Sequence, residues 1–284
     1  FYLARARLES KQRQAWDAFK KVDASGASAE EIAKRFNECL EYVEASKQAD
    51  LTAYVLKRKA VVEILEYLLA RTPRGSYQKE RAIHDLIYPM RTTSKDAASF
   101  GNNIWLVDDK LVPYDFIASD VPIKDLPGVE SDSKDRPDLL AFDVPMAFAL
   151  DRDETINNLV VVEFKRPERD DFDDKNNPLD QILDYVEKLK EGYAKNAKGR
   201  QITLSGDAQI YCYLIADVTK TLEKSCKRRN FHKTQGKGGF FGVNSDPFAY
   251  VEVISYDKLL NDAKKRNAEF FRRLSLPDAL FIEK

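Results

Sequence analysis

Three ionisable positions stand out for what their spacing could do. Asp138 lies in Arg136-Pro137-Asp138-Leu139-Leu140-Ala141-Phe142, and Glu163 and Lys165 close the run Leu159-Val160-Val161-Val162-Glu163-Phe164-Lys165. In an extended strand, residues i and i+2 share a face. Glu163 and Lys165 therefore project together, and Val162 and Phe164 project to the opposite side. Three successive valines describe a central strand buried on both faces. A carboxylate at the end of such a strand is costly to bury unless something neutralises it. A hard divalent cation, shared with Asp138 on a neighbouring strand, would do so. Lys165 would then hold, or help deprotonate, a water beside it. The same tripeptide also occurs as a plain structural Glu–Lys pair, and taken alone it does not separate the two.

The elements that must position these residues follow from periodicity. Residues 1–70 read as helical: Ser28-Ala29-Glu30-Glu31 fits a capping box, and Ile32, Phe36, Leu40 and Val43 recur at helical spacing. A second run carries Leu51, Tyr54, Val55, Val61, Val62, Leu65, Leu68 and Leu69. A helix over 76–88 stops at Pro89. Short strands are expected at 104–107, 138–142 and 159–165. Asn177-Pro178 places a capping residue before Pro at the first helical position, opening a helix to about residue 194. A buried strand over 208–216, a basic glycine-containing segment, a strand over 250–255 and an amphipathic helix over 256–274 complete the chain.

Composition removes several classes. With 284 residues, 43% hydrophobic and 33% charged, the chain is neither disordered nor low in complexity. Its longest apolar runs fall far short of the ~20 residues of a membrane helix. Cys39, Cys212 and Cys226 show no C-x-x-C spacing, and His84 and His232 are the only histidines. Neither a disulfide framework nor a zinc site is expected, and the compartment expected is reducing cytoplasm. The chain opens on Phe1 without a signal peptide and reads as part of a longer polypeptide. Net charge is −1, but residues 101–180 hold 9 basic and 20 acidic groups, and 181–240 hold 12 and 6. Lys224, Lys227, Arg228, Arg229, Lys233 and Lys237 fall in a stretch with no acid. An acidic block beside a basic one suits a metal–carboxylate site flanked by a phosphate-contacting surface. Each block alone is also what a solvated face looks like.

Two motifs are set aside. Gly236-Lys237-Gly238-Gly239-Phe240-Phe241-Gly242 lacks the G-K-[ST] ending of a phosphate loop and has Phe241 where a dinucleotide fingerprint needs Gly. It reads as a loop or hairpin between strands. Asp151-x-Asp153-x-Thr155 starts like a calcium loop, but Ile156 and Val162 replace the required Gly and Glu.

Asp138 after Pro137, Glu163-x-Lys165, and Gln181 in Leu179-Asp180-Gln181-Ile182-Leu183-Asp184-Tyr185 together resemble the PD-(D/E)XK nuclease superfamily. Order and context match as well as letters, over about residues 76–217. The resemblance implies an α/β, restriction-endonuclease-like core of helix, three strands, helix and strand, with a mixed central sheet flanked by helices. It would be preceded by an N-terminal helical appendage, residues 1–72, with the nuclease domain over 73–284. The family's first-helix Glu is best matched by Glu80, which shares a helical face with His84 at i,i+4. The 25-position separation of Asp138 and Glu163 is long for the family and implies an inserted loop around 143–158.

The resemblance implies hydrolysis of phosphodiester bonds, endonucleolytic and on double-stranded DNA. Glu80, Asp138, Glu163 and the Phe164 carbonyl would bind Mg²⁺, with Mn²⁺ substituting. Lys165 would position the water, and Gln181 would orient the Lys–water pair or a phosphate. His84, Arg166 and Tyr185 are auxiliary candidates, and the basic residues of 224–237 would hold the nucleic-acid backbone. More specifically, the motif phrases look like nuclease domains of bacterial restriction and anti-phage defence proteins. Some of these carry an upstream sensor or GHKL-type ATPase module. The helical appendage is expected to be a homo-oligomerisation or wedge element. Two other readings stay open: a nuclease-fold module that binds nucleic acid without turnover, and an assembly domain of a larger defence complex.

Overall fold

The computed structural model describes residues 29–70, 80–94, 102–112, 114, 116–126, 129–130, 132–142, 156–191, 193–195, 201–202, 204–234 and 238–277. The capping box at Ser28, most of the loop expected at 143–158, and Lys237 lie outside these residues.

In chain order the elements are α1 (Ala29–Leu69), α2 (Glu80–Ile87), β1 (Thr92–Thr93), β2 (Phe116–Ser119), β3 (Val129–Glu130), β4 (Leu139–Phe142) and β5 (Ile156–Phe164). Then follow α3 (Pro178–Glu191), β6 (Tyr193–Lys195), β7 (Gln201–Ile202), β8 (Leu204–Ile215), α4 (Lys220–Arg228), β9 (His232–Lys233), β10 (Gly239–Ser245), β11 (Phe248–Ile254) and α5 (Tyr256–Arg273). Eight strands form one mixed sheet in the order β1-β2-β4-β5-β8-β11-β10-β9, and β3-β6-β7 form a small second sheet. The fold is α/β.

The large sheet changes direction where the connections change. β4 runs antiparallel to both of its neighbours, β2 and β5, whereas β5, β8 and β11 run parallel. Parallel neighbours need a crossover, and α3 lies between β5 and β8 in the chain. Its start is fixed by the Asn177 side chain, whose Oδ1 accepts the Leu179 N–H at 3.0 Å, ahead of Pro178. Strand alternation then divides the core. Leu159 and Val161 join a cluster with Leu179, Ile182 and Val186 of α3 and Leu222 of α4. Val160, Val162 and Phe164 join the opposite cluster with Ile83 and Ile87 of α2, Leu65 of α1 and Tyr256 and Leu259 of α5. β5 is thus a central strand covered on both faces.

The chain divides into two compact units, one comprising described residues up to Ala60 with those from Asn267, the other Val61–Arg266. Asp138, Glu163, Lys165 and Gln181 all belong to the second. In the first, Arg58 Nη1 donates to Asn267 Oδ1 at 3.1 Å and the Lys59 ammonium lies over the Phe271 ring. Among the described residues no helix is long and apolar enough to cross a membrane.

Several expected elements shift. Residues 104–106 form a 3₁₀ turn rather than a strand, with Ile104, Trp105 and Leu106 all buried. A strand alternates its faces, so three successive buried side chains suit a turn wedged into a core better than an edge strand. The helix expected to reach residue 194 ends at Glu191, because Tyr193–Lys195 pairs with β3 and β7. Of the glycine stretch, Gly239 to Gly242 open β10. Gly239 sits at φ +153°, and a Cβ there would fall 1.8 Å from the Val253 carbonyl oxygen. At Gly242 a Cβ would fall 2.3 Å from the Phe231 ring. These glycines serve close packing within the sheet.

Candidate active site

The strand register brings Asp138 and Glu163 together. Leu139 pairs with Val162 in the antiparallel β4–β5 ladder, which sets Asp138 beside Glu163 at the ladder's end. The Phe164 N–H confirms the placement, donating to Asp138 Oδ2 at 2.7 Å. Glu163 faces α3 and is 3% exposed; Lys165 is 7% exposed. Lys165 Nζ donates to Glu163 Oε1 at 2.6 Å and to Gln181 Oε1 at 2.9 Å. Gln181 in turn donates to the Tyr185 hydroxyl at 2.6 Å, one turn along α3. Asp138, Glu163, Lys165, Gln181 and Tyr185 thus form one connected array.

One polar atom in the array lacks a partner. Glu163 Oε2 is buried and accepts no hydrogen bond. An unsatisfied buried carboxylate oxygen costs on the order of 1–3 kcal/mol or more. Burial raises the Glu163 carboxyl above its ordinary range, the Glu80 charge adds to this, and Lys165 opposes it. Asp138 is raised well above the usual carboxylate range, first by burial, then by facing Glu163, with a further push from Glu80. Its side chain remains 16% exposed, so the pair opens to solvent on the Asp138 side. Two crowded carboxylates with a free oxygen are oxygen donors of the kind that a hard cation takes. Among the described residues no group of three or more His, Cys, Asp and Glu converges tightly enough to enclose a metal. Glu80 acts on the pair through its charge without completing such a group.

His84 supports the site from the other face. It is 2% exposed, places Nε2 2.9 Å from Ser119 Oγ and Nδ1 3.6 Å from Asp138 Oδ1, and stacks on Phe164 at 5.1 Å. Burial lowers its pKa to about 4, so the ring is neutral near pH 7. A base lowered this way contributes stability that is whole above its ordinary pKa of about 6.5 and is lost as pH falls through the folded value. For wild type minus His84→Gln, denaturant titrations should show a loss on the order of 3 kcal/mol between pH 6.5 and 4. Taking the difference cancels the opposing trend of the raised carboxylates. A flat difference would contradict the assignment of His84 as a buried neutral ring.

The remaining candidates are placed differently. Arg166 is exposed. The basic stretch, acid-free along the chain, is not acid-free in space. Lys227 and Lys233 both reach Glu223, at 2.8 and 3.4 Å, Arg228 reaches Asp174 at 3.3 Å, and Arg229 pairs with Asp180 of α3. Lys224 is exposed. Counting along the sequence missed acids supplied by other elements. Some acids of the acidic block likewise serve turns and caps. Asp170 Oδ1 accepts from the Thr221 N–H and hydroxyl, and Asp173 Oδ1 from the N–H groups of Lys175 and Asn176.

Sequence reasoning missed Ser119, Asp217 and Tyr256. The Tyr256 hydroxyl donates to the Lys165 carbonyl at 2.6 Å, and Asp217 accepts from the backbone N–H groups of Glu168 and Tyr256. Nothing in their local sequence links them to Lys165, 91 positions away in the case of Tyr256. Compared with models of protein families, with curated proteins and with solved structures, the chain matches none.

Proposed function

We propose that the chain is a metal-dependent nuclease of the PD-(D/E)XK type, acting as a DNA endonuclease in a bacterial restriction or anti-phage defence system. The observation that carries this reading is the Asp138–Glu163–Lys165–Gln181 array with its free Glu163 oxygen. Chain order adds support: α2, then β2, β4 and β5, then α3 and β8 follow the sequence of elements that the resemblance implies.

Asp138 and Glu163 would hold Mg²⁺ or Mn²⁺, with the Phe164 carbonyl as a backbone ligand. The bound cation would polarise the scissile phosphate and activate a water. Lys165 places a positive charge where charge develops on the phosphate oxygens, and its two hydrogen bonds fix it there before the substrate arrives. Gln181 orients Lys165 and is itself held by Tyr185. His84 and the Phe164 N–H orient Asp138. Incubating the protein with supercoiled plasmid, linear duplex and RNA, each with Mg²⁺, Mn²⁺ or EDTA, tests the reading. Metal-dependent cleavage is expected, and the absence of cleavage of all three would contradict it.

Phosphate contacts belong to α4 and the segment after it. Exposed ion pairs such as Lys227–Glu223 are weak and screened by salt, so phosphates can displace them. Replacing Lys224, Lys227 and Lys233 with Ala is expected to weaken DNA binding for every sequence. The slope of log K against log salt should fall by roughly one for each phosphate no longer neutralised. Arg229 is spared because it pairs with Asp180 on the helix that carries Gln181. An unchanged slope would make the segment a solvated face.

A further inference from the structure

Lys165 is the first residue beyond β5, and its ammonium can be placed only as well as its backbone is held. The N–H donates to the Ile215 carbonyl at 2.9 Å, extending the parallel ladder by one residue. The carbonyl accepts the Tyr256 hydroxyl at 2.6 Å. Past it, Pro167 carries no N–H, and Glu168 turns at φ +54°. The Glu168 N–H donates to Asp217 Oδ2 at 2.8 Å, and Asp217 Oδ1 takes the Tyr256 N–H at 3.3 Å. Tyr256 opens α5 directly after β11, which β8 separates from β5. The phenol therefore reaches across the end of β8 to the chain that carries Lys165.

We propose that Tyr256 and Asp217 form a backbone clamp that positions Lys165 for the hydrolysis, Tyr256 being a positioning residue that never touches substrate. The inference rests on the nuclease reading above. Tyr256 is 2% exposed, so its ring packs in the core while its one polar atom goes to the residue with the reactive side chain. A cleft of about 300 Å³ lined by Pro167, Glu168, Asp217 and Tyr256 adjoins the clamp. It gives the 165–168 turn somewhere to move once the hydroxyl is gone. Misplacing a catalytic group by as little as ~1 Å costs on the order of 10²-fold in rate. A partial loosening is expected to cost about tenfold.

Tyr256→Phe keeps the ring and removes the donor. Turnover should fall about tenfold while KM and metal-free DNA affinity stay within about twofold. Hydrogen exchange should quicken at the Lys165 and Glu168 amides and not across β5. In a Lys165→Ala background the same substitution should cost nothing further, because a residue acting through Lys165 has nothing left to position. Asp217→Asn, which spoils one acceptor and leaves the phenol, is read in the same cycle and decides the matter if Tyr256→Phe does not fold. Wild-type turnover, or losses that multiply with that of Lys165→Ala, would overturn the clamp. If wild type and Lys165→Ala do not differ in metal-dependent cleavage, the nuclease reading fails and the clamp falls with it.

Discussion

Lys165→Ala is expected to keep DNA binding and lose on the order of 10²-fold or more in cleavage rate. That is the size typical of a lost electrostatic stabiliser. The charge serves the transition state more than the ground state, so kcat should carry the loss rather than KM. Stability is not the discriminating readout. Lys165 is buried against Glu163 at 2.6 Å, and removing one partner of a buried pair is destabilising by roughly 3–5 kcal/mol whatever its role. Lys165→Arg separates the cases. A guanidinium keeps a positive charge to pair with Glu163, but it is planar, bulkier and effectively never deprotonated, so it does not set its charge where the ammonium sits. The catalytic account predicts no recovery of rate with Arg. A purely structural pair predicts recovery of stability and function together.

Asp138→Asn and Glu163→Gln are expected to abolish metal-dependent cleavage and leave the fold intact. Asn still offers an acceptor to the Phe164 N–H, and Gln still offers one to Lys165. The stability of metal-free Asp138→Asn should hold or rise at neutral pH, because it removes a charge that burial and Glu163 disfavour. Glu163→Gln also leaves the buried Lys165 ammonium without its counter-charge and should gain less or lose. The sign with pH follows from the raised pKa values. A raised carboxyl contributes stability that is whole below its ordinary pKa and is lost as pH rises through the folded value. Relative to the carboxamide variants, metal-free wild type should therefore weaken as pH climbs from about 4 toward neutrality. Mg²⁺ should stabilise wild type and not the variants, since only wild type presents the full donor pair. Thermal or denaturant unfolding with and without Mg²⁺ reads both effects, and variants that gain as much as wild type would contradict the carboxylate site.

Much of the array was legible because strand periodicity is local. Glu163 and Lys165 on one face, with Phe164 on the other, follow from alternation, and β5 bears this out. The Asn177-Pro178 start of α3 was legible for the same reason, since a cap is written in two adjacent residues. What could not be read depends on partners brought in by the tertiary fold. The cations of 224–233 looked unopposed until Asp174 and Asp180 arrived from the segment before α3 and from α3 itself. The 104–106 run looked like a strand because apolar content alone cannot tell a wedged turn from an edge. The Tyr256 contact with Lys165 depends on β8 and β11 lying side by side, a long-range pairing that no local pattern encodes.

The most direct test is single-turnover cleavage of duplex DNA by wild type and Glu163→Gln purified in parallel. A contaminating nuclease would act equally in both preparations, so the difference between them belongs to this chain. The account predicts cleavage by wild type that needs Mg²⁺ or Mn²⁺, stops with EDTA and is lost in Glu163→Gln. Equal cleavage by the two proteins, or wild-type cleavage that persists in EDTA, would contradict it.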